Sequence, residues 1–108
     1  MDLESKSCTP CEEGGEPMEE EEIQDFIDEV NPDWHLRKDK KIFREFDFTD
    51  FEEALEFVNE VGDLAEEEGH HPDIHIRNYN EVVVELWTHA VGGLTENDFI
   101  MAKKIDQI

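Results

Sequence analysis

Positive charge is what this sequence has least of: 9 lysines and arginines stand against 31 aspartates and glutamates, a formal net charge of -22 over 108 residues. A surface of that sign keeps the protein dispersed by self-repulsion and repels phosphate backbones, so no nucleic-acid partner is expected. Long apolar runs are also missing. None approaches the roughly 20 residues of a membrane-spanning helix, and the opening stretch MDLESKSCTP has neither the basic region nor the apolar stretch of a secretory signal. The expectation is a cytoplasmic protein with no membrane partner. Cysteine is scarce too, with Cys8 and Cys11 forming one CxxC. A thioredoxin-type pair would follow a strand at a helix start, and a zinc site needs two further ligands in reach. The pair therefore reads as part of a tail without chemistry.

The length suits one domain with a two-layer core. Residues 1–18 are rich in Gly, Pro, Ser and acid, with too little apolar surface to offset the entropy of ordering, and are expected to be flexible or loosely docked. Residues 19–108 form the domain proper. Glu19 to Val30 places Ile23, Phe26, Ile27 and Val30 at helical spacing behind an acidic start that favours the helix dipole, and Asn31-Pro32 ends it. Trp34 to Leu36, a polar turn from Arg37 to Lys40, and Ile42 to Phe48 read as a hairpin in which Arg44 breaks an otherwise apolar face. Thr49 with Glu52 has the pattern of a capping box, and Phe51, Leu55, Val58, Val61 and Ala65 trace an apolar stripe along a long helix that Gly69 stops.

Two further strands follow, Ile74 to Asn78 and Glu81 to His89. In the second, Val82, Val84, Leu86 and Thr88 share one face, while Val83, Glu85, Trp87 and His89 share the other. Gly92-Gly93 turns the chain, and Thr95 with Asp98 caps a last helix whose buried face is Phe99, Ala102 and Ile105. The pattern predicts an α+β fold in the order α-β-β-α-β-β-α. Its four-stranded antiparallel sheet carries three helices on one face and leaves the other open.

Histidine is the residue type with chemical promise, because its ordinary pKa near neutrality lets it give and take protons at physiological pH. Of the five, His70 and His71 stand together where a helix has just ended and Pro72 fixes the backbone that follows. Capping of the helix C-terminus explains that pair about as well as catalysis does. His89 ends a strand near Trp87 and Glu85, while His35 and His75 lie in strands without catalytic neighbours and read as structural or exposed. A zinc site is not expected, since adjacent side chains such as His70 and His71 diverge.

Taken together, Glu66-Glu67-Glu68-Gly69-His70-His71-Pro72, then Tyr79, His89 and Asp98, resembles the signature of the pterin-4a-carbinolamine dehydratases. The similarity runs from about Glu20 to the C-terminus through Trp34, IFREFDF, the helix beginning Asp50-Phe51, and THAVGGLTENDF. The strand from Ile74 is a residue longer than in animal members, which leaves the register of Tyr79 open. The resemblance implies a hydro-lyase that acts after an aromatic amino acid hydroxylase and returns the oxidised pterin to a quinonoid dihydropterin. It implies no metal or organic cofactor, and a homodimer or homotetramer. Carried onto these residues, it makes His70 and His89 proton donors to the leaving hydroxyl and His71 a group that holds and polarises the ring. Glu66 would orient His70, Asp98 would reach an imidazole or a pterin nitrogen, and Trp34 would wall the pterin or sit in the core. Glu66 as a plain exposed acid and Asp98 as a plain cap stay open beside those roles. Two other functions stay open: a binding module, since some animal members stabilise the dimer of a homeodomain transcription factor, and a role in another pterin pathway such as molybdopterin metabolism.

Overall fold

Two hairpins and three helices build the protein, whose computed structural model describes residues 3–6, 8 and 16–108. Cys11, and with it the CxxC pair as a unit, lies outside the described residues. The elements are α1 (Glu20–Ile27), β1 (His35–Arg37), β2 (Lys41–Asp47), α2 (Phe51–Glu68), β3 (Asp73–Arg77), β4 (Glu81–Leu86) and α3 (Glu96–Ile105). All neighbouring strands are antiparallel, in the order β1-β2-β4-β3. This is the expected α+β architecture with its four strands and three helices.

Each hairpin turns through two consecutive residues in the left-handed region: Lys38 and Asp39 (φ 53° and 54°), then Asn78 and Tyr79 (φ 50° and 57°). Paired positive φ values match the right-handed twist of the flanking strands, which is why such turns suit tight hairpins. Tyr79 therefore belongs to the β3–β4 turn, where its ring is exposed. Val82, Val84 and Leu86 of β4 are fully buried beneath the helices with Ile42 of β2. Val83 and Glu85 point to the opposite face. Neighbouring strands leave them only 5% and 8% exposed.

Several boundaries differ from expectation for identifiable reasons. Helix α1 ends at Ile27, and i→i−3 bonds from Glu29 to Phe26 and from Val30 to Ile27 carry the chain round, so Val30 stays buried outside the helix. Helix α2 is capped by Asp50, whose side chain accepts from the Glu53 amide at 2.8 Å, one residue later than the Thr49–Glu52 pattern suggests. Its buried stripe is Ala54, Phe57, Val61 and Ala65, while Phe51 and Leu55 are 49% and 39% exposed. Phe57 takes the core position by packing on Phe46 and Phe48, at centroid distances of 4.6 and 5.1 Å. Arg44, the break in the β2 pattern, faces the helices and is neutralised there: Nη1 donates to Asp106 at 2.7 Å, and the guanidinium lies 4.7 Å from the Phe46 ring centroid.

Of the tail expected to be flexible or loosely docked, residues 3–6, 8 and 16–18 are described. Leu3–Ser5 forms a short 3₁₀ turn, and Leu3 is fully buried in the core. A single leucine supplies roughly 1.5–3 kcal/mol when buried, which composition averaged over the segment conceals.

Candidate active site

Gly69 ends α2 in the left-handed conformation (φ 68°), and its amide and that of His70 both return to the Ala65 carbonyl. That cap redirects the chain so that the His70 ring turns toward the N-terminus of α3. There His70 Nε2 meets Asp98 Oδ1 at 2.6 Å. Asp98 is fully buried, and its other oxygen accepts from the Thr88 hydroxyl at 2.9 Å and the Thr95 amide at 3.0 Å. The Thr95–Asp98 capping box is thus present, and the carboxylate that caps α3 also holds the imidazole. A carboxylate only accepts, so the His70 proton sits on Nε2 and Nδ1 is the ring atom left for a ligand.

His71 turns the other way. Its Nε2 meets Glu66 at 2.7 Å in an exposed pair. Glu66 therefore does not orient His70 as expected from its place one turn before Gly69; it partners His71, and Asp98 takes the His70 ring. Trp34 is 2% exposed and donates its indole N–H to both oxygens of Asp106, at 3.1 and 2.9 Å. Its ring packs edge-on to Phe46, 6.3 Å between centroids. Trp34 thus sits in the hydrophobic core. Burial raises the Asp106 carboxyl above its ordinary range, and the bonds from Trp34 and Arg44 pull it back.

His89 lies beyond the end of β4, in a turn closed by paired amides and carbonyls of Thr88 and Gly93. Its exposed imidazole stacks on Trp87 with 3.9 Å between ring centroids, and Trp87 donates Nε1–H to Asp73 at 3.1 Å. Strand alternation survives past the last ladder pair: Thr88 points under the sheet to Asp98, while Trp87 and His89 stay on the open side. Thr88, Trp87 and Asp73 are contacts of the candidate site that reading the histidines alone missed. The alternation that put Thr88 with Val82, Val84 and Leu86 was the available signal for the first of them. His35 and His75 lie elsewhere on the open face, His35 beside Phe43 and His75 within 3.9 Å of Glu85.

Next to this site the described part of the tail is fastened. The Cys8 amide donates to Glu68 Oε1 at 2.9 Å, and Lys104 Nζ reaches Glu68 Oε2 at 2.8 Å. The Lys104 hydrogen bond, with that from Cys8, holds the Glu68 carboxyl below its ordinary range. Burial, with the negative charge of Glu68 beside it, pushes the Cys8 thiol up to about 12. A thiol that stays protonated is a poor nucleophile and a poor metal ligand. Among the described residues no cluster of three or more His, Cys, Asp or Glu is arranged to hold a metal ion.

The sequence model of the family described as pterin 4 alpha carbinolamine dehydratase matches residues 16–108. The chain belongs to that family. A relative in Arabidopsis thaliana, named pterin-4-alpha-carbinolamine dehydratase 2, mitochondrial, is 44% identical over 111 residues, covering 99% of this chain and 59% of that protein. A Chlorobaculum tepidum relative described under the same family name is 46% identical over 109 residues, covering 98% of this chain and 96% of the other. Among solved structures, a transcriptional coactivator/pterin dehydratase from Brucella melitensis superposes with a TM-score of 0.76 at 33% identity, over 84% of this chain and 96% of that one. A pterin dehydratase-like protein described as a RuBisCO assembly factor in the alpha-carboxysome superposes at 0.58 and 25% identity, over 68% of this chain and 86% of that one.

Proposed function

We propose that this family member dehydrates a 4a-hydroxytetrahydropterin to a quinonoid dihydropterin by histidine acid–base catalysis, recycling the pterin cofactor of an aromatic amino acid hydroxylase in the cytoplasm. The observation that carries the reading is the contact between His70 Nε2 and a fully buried Asp98 at 2.6 Å, with the carboxylate itself held by Thr88 and Thr95. A proton donor needs a fixed ring, one nitrogen turned to the ligand and a partner for the charge of its protonated form, and the Asp98 contact serves these needs.

In the reaction the C4a–O bond breaks and the hydroxyl leaves as water after accepting a proton. The lone pair of the adjacent ring nitrogen forms the new C=N bond, and that nitrogen gives up its own proton. His70, as an imidazolium that keeps Nε2–H on Asp98 and gives its proton from Nδ1, and His89 are the proposed donors to the departing oxygen, one for each face of the pterin. His71, exposed with its Glu66 partner, contacts and polarises the ring. The proton lost from the ring balances the one given to oxygen, so no net redox change occurs and general acid–base groups suffice. The test is the decay of chemically generated 4a-hydroxytetrahydropterin. Purified protein is expected to accelerate it well beyond the buffer rate, and no acceleration would defeat the proposal.

A second reading, a protein-binding module, draws on the exposed Phe51 and Leu55 on α2. The same apolar strip supports a homodimer or homotetramer, since apolar side chains clustered on one helix face gain by burial against a second copy.

A further inference from the structure

The two segments that bear the candidate proton donors are separate in sequence, and one side chain touches both. Trp87 follows the last residue of β4, and its indole stacks on the His89 imidazole, centroids 3.9 Å apart and planes inclined by 30°. The same indole donates Nε1–H to Asp73 Oδ2 at 3.1 Å. Asp73 is the residue after His70-His71-Pro72 and the first of β3. Lys41 Nζ lies 4.8 Å from the Trp87 ring centroid, placing a cation against its π-system. An indole with its single donor anchored has a defined ring plane. Among the described residues no hydrogen bond holds His89, and an exposed imidazole in a turn would otherwise exchange rotamers on a picosecond-to-nanosecond scale.

We propose that Trp87 is a positioning residue: it holds the His89 imidazole by stacking and, through Asp73, ties that ring to the His70-His71-Pro72 turn, so the two donors keep a constant separation. Trp87 touches no reacting atom in this scheme and acts only through its neighbours. The proposal rests on the reading of His89 as a proton donor, and it adds what orients that donor.

Three variants and two readouts test it. Trp87→Leu removes both the stacking surface and the anchor, and misplacement of one donor is expected to lower kcat about tenfold with KM changed less than about twofold. Trp87→Phe keeps an aromatic face without the donor and is expected to restore kcat to within about threefold of the starting protein. In a His89→Ala background Trp87→Leu should cost less than about twofold, because the ring it orients is gone. Equal losses with and without His89 would overturn the proposal. The second readout needs no turnover: stacking on an indole shifts the His89 ring-proton resonances upfield, and Trp87→Leu should return them to the positions of a free imidazole. Unchanged resonances would overturn the positioning role even in an active enzyme, while a shift in a protein without dehydratase activity would leave positioning intact and reject only the reaction. Should Trp87→Leu fail to fold, Trp87→Met, an unbranched side chain of nearer volume with neither ring nor donor, is read in the same two ways.

Discussion

Replacing Asp98 by asparagine tests the buried carboxylate with almost no change of shape. Asp98 Oδ2 accepts from the Thr95 amide and the Thr88 hydroxyl, while Oδ1 faces His70 Nε2. An asparagine keeps its oxygen toward the Thr95 backbone N–H, a donor that needs an acceptor at the helix start, and so presents its NH₂ to His70. Two donors cannot face each other, so His70 Nε2 becomes the acceptor and its proton moves to Nδ1. The ring stays in place, but the neutral amide no longer stabilises the imidazolium that gives up its Nδ1 proton. Exchange of three charge-assisted bonds for neutral ones costs about 1 kcal/mol each, partly offset because an amide is cheaper to bury than a carboxylate. A net loss of about 2 kcal/mol lowers Tm by about 10 °C for a domain of this size. The activity should fall further than the stability, by about 10²-fold or more in kcat, the usual worth of a correctly protonated acid–base group. Initial rates with 4a-hydroxytetrahydropterin measure the first effect, urea denaturation the second, and the ¹⁵N shifts of His70 report the tautomer directly. Glu66→Gln is the contrast. Its pair with His71 is exposed and contributes about 0–1 kcal/mol, so kcat should fall no more than about fivefold. Asp98→Asn retaining kcat within twofold, with the proton demonstrably on Nδ1, would refute the role given to the buried carboxylate.

Two further outcomes follow from the surface and the tail. Light scattering on the parent protein is expected to give the mass of the proposed dimer or tetramer, and Phe51→Lys combined with Leu55→Lys, at positions 49% and 39% exposed, should lower it to that of a single chain with stability changed by about 0.5 kcal/mol; a double variant of unchanged mass would remove this strip as the interface. Glu68→Gln should lower the urea midpoint at neutral pH. Because Lys104 depresses the folded-state carboxyl from its ordinary 4.5, the stabilisation is present above that value and is lost as pH falls through the depressed one, so the gap between variant and parent should close in acid. A gap that holds or widens in acid would contradict the Lys104 bond.

The elements were legible in the sequence where local chemistry and tertiary packing agreed. The capping box at Thr95–Asp98, the stop at Gly69 and the alternation of β4 each arise within a few residues and survive in the fold. The α2 stripe was legible only in part. The helical period alone does not say which side of α2 faces inward; that is decided by Phe57 packing on Phe46 and Phe48 across the β2–α2 connection. Leu3 and Arg44 escaped for a related reason: composition describes a segment, whereas one leucine finding a core cavity or one arginine finding Asp106 is a single long-range event.

By itself the sequence determined the architecture, the family and the short list of histidines, because hydrophobic period, turn residues and a motif with ordered spacing are local properties. Tertiary structure alone decided how those histidines are held. It gave His70 to Asp98 and His71 to Glu66, took Trp34 into the core, and brought Trp87 between His89 and Asp73. Hydrogen bonds of this kind depend on where α2, α3 and the end of β4 meet in space, and separation along the chain carries no record of a meeting at 2.6 Å.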